Sequence, residues 1–375
     1  MKTWQATLAT IIVIAVIATA AYAVYYTPKS TGEKKIVIYT YESLLGWGKN
    51  PNETWDKVFG EFERTTGVKV EVVKFDDAGT ALTKAIEEYK AGRHYADIII
   101  GIDNILVSKA KKAGILEKYT PDNINEINKK LIEALDPEGY VTPYDYGLIA
   151  LVYDTKYIPE QAMTNLTFQN LLTRTVNING KQVKLVNTLV TEDPRKSSTG
   201  LGFLLWQIAV YKHYHLGNWT TWWIKGNPKV VGSWGDAYDL FDKGKYHIVV
   251  SYGTDPAYSM YFYNTTRYKA ALVEYNGKPV AWLQIEGIAL LKDAPHKKYA
   301  EKFIDWFLSK QVQDLIPLNN WMYPANIKAK LPDVYKYAID PSNVELANLY
   351  FTKGEVQSNL EQWLNQWFET ISTKS

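Results

Sequence analysis

The sequence contains no cysteine and five histidines among its 375 residues. The absence of cysteine excludes disulfides, thiolate nucleophiles, cysteine-ligated zinc and a lipidated N-terminal cysteine. His213 and His215 stand two residues apart, a spacing that puts them on different faces of a helix. A metal site built from histidine is therefore not expected.

Neither sign of charge is in excess. The chain has 42 Lys and Arg residues against 40 Asp and Glu residues, for a formal net charge of +2. Proteins that bind nucleic acid usually carry a strongly basic surface, so nucleic acid is not an expected partner.

The usual signatures of catalytic sites are also missing. The sequence has no G-x-S-x-G elbow, no Walker-type phosphate loop and no H-E-x-x-H motif. Asp76 and Asp77 are adjacent in a turn, where neighbouring carboxylates usually point apart and face water. A nucleophilic Ser197 or Ser198 would need a histidine partner, and no pattern supplies one. These observations favour a binding protein over an enzyme.

Aromatic residues, in contrast, are abundant. The chain has 28 Tyr and 13 Trp, and aromatics make up 14% of its residues. Tyr and Trp combine an apolar face with a polar edge, which suits pockets for flat organic ligands. The same composition is compatible with the surface of a heat-adapted or extracellular protein, and composition alone leaves both interpretations open.

The N-terminal segment indicates export. After Lys2, an uncharged stretch from Thr3 to Tyr26 is long enough to cross a bilayer as a helix. Ala21 and Ala23 offer a cleavage site for a signal peptide, so residues 1–26 are either a signal peptide or a retained membrane anchor. Both place the rest of the chain outside the cytoplasm. Residues 27–34 are typical of a polar linker.

Strand and helix patterns alternate from residue 35 onward. Residues 34–41, 68–75 and 96–102 are apolar, β-rich runs, and amphipathic helical patterns at residues 54–67 and 80–92 separate them. A second α/β series follows residues 144–147, and residues 297–316 and 356–371 carry further helical stripes. This alternation predicts a two-lobed α/β protein with parallel or mixed sheets flanked by helices, and a ligand cleft between the lobes.

Four loops that follow strands are candidates for ligand contacts: residues 39–43, 75–80, 193–202 and 251–258. In the third loop, Ser197, Ser198 and Thr199 precede two glycines at the start of an apolar helix. Free amides at a helix start, together with hydroxyl donors, suit a phosphate or oxyanion, although plain N-capping uses the same residue types. A further loop, PLNNWMYPAN at residues 317–326, holds Trp321 between two prolines, where a large aromatic side chain is unusual.

Several segments together resemble the thiamine-binding proteins that feed ABC importers in the bacterial periplasm. The matching stretches are IYTYES, ADIIIGIDN, PYDYGLIALVYD, DPRKSSTGLGFLLW, SWGDAYDLF, VVSYGTDPAY and IPLNNWMYP. They occur in the family's order from about residue 36 to the C-terminal helix. The DPR…SS-x-GLG-x-LLW and NWMYP motifs are specific as a pair.

The resemblance implies a type II periplasmic binding protein, monomeric and without a cofactor, that closes around thiamine or a thiamine phosphate and presents it to a membrane permease. The expected segments are the first part of lobe 1 at residues 35–143, lobe 2 at residues 144–276, and the return to lobe 1 with the C-terminal helices at residues 277–375. The positions that match the family's ligand contacts are Tyr41, Asp77, Gly79, Thr80, Ser197, Ser198, Trp234, Tyr252, Gly253, Thr254, Asp255, Tyr258 and Trp321.

Two departures from the family affect these positions. The turn at residues 76–80 is one residue longer, so Asp77, Gly79 and Thr80 remain alternatives for one contact. Thr199 stands where the family commonly has proline, which adds a hydrogen-bond donor. Asp255 is the expected charge partner of either the thiazolium ring or the amino group of thiamine.

Two alternative functions remain open on the sequence. The same fold binds ferric ion or polyamines, and Tyr144 and Tyr146 are conceivable iron ligands. A membrane-tethered phosphate-ester hydrolase using Ser197 or Ser198 is the third hypothesis, and the missing base argues against it.

Overall fold

The computed structural model describes residues 34–352 and 354–373. The predicted signal or anchor at residues 1–26, and all but the last residue of the predicted linker, lie outside this range. Within the described residues, no helix has the length and apolarity needed to cross a membrane.

The strands of the described chain are β1 (Lys35–Tyr41), β2 (Lys69–Phe75), β3 (Ile98–Asp103), β4 (Leu116–Glu117), β5 (Thr142–Asp154), β6 (Thr175–Ile178), β7 (Lys181–Lys184), β8 (Leu189–Glu192), β9 (Lys229–Val231), β10 (Ile248–Tyr252), β11 (Tyr268–Ala271), β12 (Val273–Tyr275), β13 (Lys278–Ala281), β14 (Leu283–Leu291), β15 (Tyr323–Pro324) and β16 (Glu345–Leu346).

The α-helices are α1 (Pro51–Trp55), α2 (Glu61–Thr66), α3 (Ala78–Lys90), α4 (Leu106–Ala113), α5 (Lys129–Leu135), α6 (Glu160–Met163), α7 (Phe168–Thr173), α8 (Ser198–His213), α9 (Thr220–Gly226), α10 (Trp234–Asp242), α11 (Asp255–Tyr263), α12 (Lys297–Phe307), α13 (Lys310–Gln313), α14 (Ile316–Asn319) and α15 (Glu355–Ser372). A π-helical turn at Asp56–Gly60 joins α1 to α2. Short 3₁₀ turns lie at Ile124–Glu126, Leu185–Thr188, Asp333–Tyr337, Pro341–Asn343 and Ala347–Tyr350.

The first lobe is built on a mixed sheet with the order β2, β1, β3, β14 and the first half of β5. β1 runs parallel to β2 and β3, whereas β14 is antiparallel to β3 and β5. Helices α3 and α4 pack on β3. Every position of β3 is therefore buried, which explains its continuous apolar run.

The second lobe has a sheet with the order β5, β10, β8 and β9. β10 is antiparallel to β5, and the β10–β8 and β8–β9 pairs are parallel. Helix α8 packs on this sheet and is buried along almost its whole length, in agreement with its uniformly apolar sequence.

Strand β5 belongs to both lobes. Residues 142–148 pair with β14 in the first lobe, and residues 149–153 pair with β10 in the second. At the crossing point, a Cβ atom on Gly147 would lie 2.7 Å from Met322 Sδ and 3.3 Å from Tyr252 Cδ1, so side chains from both lobes approach the backbone closely there. The predicted two-lobed α/β fold is confirmed.

The helix predicted over residues 297–316 is interrupted. It ends at Phe307 and resumes at Lys310. Side chains bond the carbonyl groups where the helix stops: Gln313 Nε2 donates to Phe307 O at 3.3 Å, and Asn326 Nδ2 donates to Leu308 O at 2.9 Å. These side-chain donors satisfy carbonyl groups that the end of the helix leaves without an amide partner, so the helix can stop there.

The C-terminal helix α15 packs against α9 of the second lobe. The sequence prediction gave residues 277–375 as the return to the first lobe together with the C-terminal helices, and it did not say which lobe these helices cover. Trp367 is fully buried and meets Trp223 edge-on, with ring centroids 5.6 Å apart. Periodicity identified the apolar stripe of the helix, but it could not identify which surface covers that stripe.

Replacing Trp367 with alanine should lower the free energy of unfolding by about 3–5 kcal/mol, because it empties a fully buried site between α15 and α9. Urea unfolding followed by circular dichroism measures the change. Asn365→Ala, at an exposed position of the same helix, is the matched control and should change stability by less than about 0.5 kcal/mol. Equal effects of the two substitutions would contradict the packing of α15 on the second lobe.

Candidate ligand-binding cleft

A cleft of about 1280 Å³ separates the two lobes. Its walls come from the carboxyl ends of β1, β2 and β10 and from the amino ends of α3, α8, α10 and α11. Gln284 and Glu286, on strand β14, contribute to its floor. Ligands of open α/β sheets bind at the carboxyl ends of strands and between domains, so the cleft lies where the fold predicts a site.

Most of the residues predicted to contact a ligand line this cleft: Tyr41, Asp77, Gly79, Thr80, Ser197, Ser198, Trp234, Tyr252, Asp255, Tyr258 and Trp321. Gly253 and Thr254 are not among the described lining residues. The buried Thr254 hydroxyl donates to Trp321 O at 2.6 Å. The Gly253 amide donates to Leu148 O at 2.9 Å, and the Gly253 carbonyl accepts from Ile339 N at 2.9 Å. Both residues therefore shape the loop behind the cleft surface.

One end of the cleft is a cage of aromatic rings. Trp234 lies 5.2 Å from Tyr238 and 5.1 Å from Trp47 between ring centroids, and the Trp47 contact joins the two lobes. Tyr258 is 6.2 Å from Trp47 and 5.2 Å from Trp321. The sequence analysis missed Trp47 and Tyr238. The available signals were the position of Trp47 in the loop after β1 and the i, i+4 spacing of Trp234 and Tyr238 on α10.

Trp321 is held in an uncommon backbone conformation, with φ at 56°. Its indole Nε1 donates to Trp47 O at 3.0 Å, and its carbonyl accepts from the Thr254 hydroxyl. The ring stacks parallel to Tyr335, with centroids 6.3 Å apart and planes 3° from parallel. A left-handed conformation is costly for a bulky residue, so these contacts fix the indole against the cleft.

The hydroxyl group of Tyr41 points into a hydrogen-bond network at the floor. It donates to Glu286 Oε2 at 2.8 Å, lies 2.9 Å from the Tyr144 hydroxyl, and accepts from Asn320 Nδ2 at 3.2 Å. Gly101 allows the ring to sit there, since a Cβ on Gly101 would lie 2.6 Å from Tyr41 Cδ1. Tyr41 therefore offers its ring, and not a free hydroxyl, to a ligand.

The hydroxyl-rich loop meets the cleft at the start of α8. Ser197 occupies the N-cap position, yet its side chain makes no capping bond. Its hydroxyl lies 2.8 Å from the Thr199 hydroxyl, and the two form a pair. Simple N-capping is thus not the role of the Ser197 side chain. Behind the loop, Asp193 accepts two bonds from the Arg195 side chain, at 3.0 and 2.6 Å, which fixes the loop conformation.

The turn before α3 lies across the cleft from this loop. Asp77 Oδ1 accepts from the Gly79 amide at 2.7 Å, and the Thr80 amide donates to Asp77 O at 3.1 Å. These amides are therefore engaged within the turn. Burial raises the pKa of Asp77 to about 6, although the Gly79 bond opposes the shift.

Buried carboxyl groups give the cleft a negative character. Asp255 is 5% exposed, and its Oδ2 has no hydrogen-bond partner. Burial raises the pKa of Asp255 to about 7, against the opposing effect of hydrogen bonds from the Ser251 side chain and the Tyr252 backbone. A group with an open buried acceptor gains most from a ligand that brings a positive charge or an N–H donor.

The described residues give little support to the two alternative chemistries. No cluster of three or more His, Asp or Glu side chains within residues 34–352 and 354–373 has the geometry of a metal site. Tyr144, a conceivable iron ligand, is fully buried and donates to Glu286 Oε2 at 2.6 Å. No histidine of the described residues lines the cleft, so Ser197 and Ser198 lack the histidine partner that a serine nucleophile commonly uses.

Comparison with known proteins gives a consistent result. The chain is 33% identical over 348 residues to the thiamine-binding periplasmic protein of Brucella abortus, covering 92% of this chain and 94% of the relative. It is 30% identical over 347 residues to the protein of the same name from Escherichia coli K12, covering 90% and 93% of the two chains. A solved structure of a periplasmic thiamin binding protein superposes with a TM-score of 0.70 at 26% identity, covering 90% of this chain and 96% of that one.

The resemblance that the motifs predicted is thereby confirmed over nearly the whole exported region. In addition, the model of the bacterial extracellular solute-binding protein family matches residues 46–314. The match takes in β5, the strand shared by the two lobes, and most of the residues that line the cleft. The chain therefore belongs to the bacterial extracellular solute-binding protein family.

Proposed function

We propose that this protein binds thiamine, free or phosphorylated, outside the cytoplasm and delivers it to the permease of an ABC importer. The observation that carries the proposal is an aromatic cage beside a buried carboxyl group with an open oxygen, both lining one interlobe cleft. The names of the relatives support the same ligand. Binding and release without turnover is the activity expected of such a site.

The chemistry of the cleft suits each part of thiamine. Flat rings, one of them permanently positive, gain from the faces of Trp and Tyr, and each desolvated contact contributes roughly 1–2 kcal/mol. Asp255 is placed to meet either the thiazolium charge or the amino group of the pyrimidine. The hydroxyethyl tail, with or without phosphate, fits the start of α8, where Ser197 and Ser198 line the cleft.

A titration with thiamine, its monophosphate and its diphosphate tests the proposal directly. Calorimetry or tryptophan fluorescence should detect binding of at least one of the three at micromolar concentration, because the cage contains Trp47, Trp234 and Trp321. Spermidine serves as a control cation without aromatic rings. Binding of none of the three thiamine compounds would refute the proposed function.

Trp234→Ala should weaken thiamine binding about tenfold or more, since it removes one face of the cage. The side chain is half-buried, so the melting temperature should change little. Trp219→Ala is the matched control, because Trp219 is also half-buried in the second lobe but does not line the cleft. Equal affinities of the two variants would show that the cage does not contact the ligand.

Asp255→Asn should make the empty protein more stable at pH 8 and bind thiamine more weakly. The pKa of Asp255 is about 7 in the folded protein and 3.8 in its ordinary state, so folding takes up a proton between these values. Stability from this group is present at low pH and decreases by up to about 1.4 kcal/mol per pH unit as pH rises through that window. Asparagine does not titrate, so the variant does not lose stability in this way as the pH rises.

Urea midpoints of wild type and Asp255→Asn, measured at pH 8 and pH 4.5, check the sign. The stability advantage of the variant should be large at pH 8 and several-fold smaller at pH 4.5, near the lower end of the window. A variant less stable than wild type at pH 8 would mean that the ionised Asp255 stabilises the empty protein, which contradicts the prediction that it destabilises the fold.

A further inference from the structure

A row of acidic residues crosses the sheet beneath the cleft. Glu286 on β14 is in register with Asp103 on β3 and with Asp145 on β5. All three are at most 9% exposed. No Lys, Arg or His of the described chain forms an ion pair with any of them, and desolvation is the largest influence on each pKa. Side chains paired across strands lie within roughly 5 Å, so the charges in this row repel one another.

Among the three, Glu286 lines the cleft. Its carboxylate accepts hydrogen bonds from the hydroxyls of Tyr41 and Tyr144, at 2.8 and 2.6 Å, and from Gln284 Nε2 at 3.0 Å. These neutral donors oppose the rise in the pKa of Glu286 that burial causes, because they stabilise the ionised form without cancelling its charge.

Asp145 differs in its partners. It accepts from Asn320 Nδ2 at 2.5 Å, and its Oδ1 has no partner. Burial and the nearby Glu286 carboxylate raise the pKa of Asp145 well above its ordinary range. Glu286, the member of the pair that faces the cleft, has three donors that favour its ionised form, whereas Asp145 has one.

Glu286 is also held rigidly between the lobes. Gln284, which bonds Glu286 Oε1, donates to the Tyr252 hydroxyl of the second lobe at 2.9 Å, while Tyr41 belongs to the first lobe. A charge fixed in advance by packing and hydrogen bonds costs no reorganisation when a ligand arrives. Asp255, in contrast, keeps an open oxygen and titrates near pH 7.

We propose that Glu286 is the counter-ion that selects a permanent positive charge in the ligand, and that Asp255 accepts a hydrogen bond from a neutral N–H group. The inference rests on the proposed function and deepens it, since it divides thiamine recognition between two carboxyl groups. The thiazolium ring supplies the permanent charge, and the aminopyrimidine supplies the N–H donor. Because the thiazolium cannot lose a proton, the cleft binds it as a cation at any pH at which Glu286 is ionised.

The test compares thiamine with its 3-deaza analogue, in which carbon replaces the quaternary nitrogen and the ring is neutral. Both compounds keep the aminopyrimidine and the hydroxyethyl tail. Calorimetry at pH 8 gives the affinity of each for wild type, Glu286→Gln and Asp255→Asn. Glu286→Gln should lower the affinity for thiamine at least about tenfold and leave that for the neutral analogue within about twofold. Asp255→Asn should weaken both compounds to a similar degree.

Binding of the neutral analogue reports an intact cleft in each variant, so misfolding is not mistaken for loss of charge. If wild type binds thiamine and Glu286→Gln weakens both compounds equally, Glu286 is a structural residue and the inference is overturned. The same conclusion follows if Asp255→Asn alone removes the preference for the cation. Failure of wild type to bind thiamine, its monophosphate and its diphosphate rejects the proposed function itself, and the counter-ion assignment with it.

Discussion

The antiparallel pairing of β14 with the first half of β5 is the constraint on which the cleft depends. β5 then continues into the second sheet, so a single strand links the two lobes. Since alternate residues of a strand face the same side, Gln284 and Glu286 both reach the cleft floor. There they connect Tyr41 of the first lobe to Tyr252 of the second. The backbone ladder thus determines which polar groups a ligand meets between the lobes.

The carboxyl groups at and near the cleft floor lower the stability of the empty protein. Buried carboxyl groups with no cation among the described residues, such as Asp145 and Asp255, raise the free energy of the empty protein. Neutral donors lessen this cost at Glu286 without removing its charge. A cationic ligand supplies the missing partner, so the features that weaken the empty fold are those that favour binding. Local conflicts of this kind are expected at functional sites.

The aromatic cage, unlike the buried carboxyl groups, stabilises the empty protein, because large rings gain from burial whether or not a ligand is present. Trp321 adopts a left-handed backbone conformation that costs about 1–3 kcal/mol, and hydrogen bonds to Trp47 and Thr254 hold it there. The tryptophan in the proline-bounded loop is thus fixed by side chains and backbone from both lobes. The flanking prolines have a smaller part: Pro317 begins α14 and Pro324 pairs with β5.

The sequence by itself determined the two-lobed α/β fold and the loops that form the cleft, because hydrophobic periodicity and strand ends are local properties of the chain. Its motifs also identified the family. Only the tertiary structure decided that Trp47 joins the cage, that Glu286 reaches the floor, and that helix α15 packs on the second lobe. These outcomes depend on contacts between distant segments, as between Tyr41 and Glu286. Periodicity tells which residues are buried, but packing decides which residues they meet.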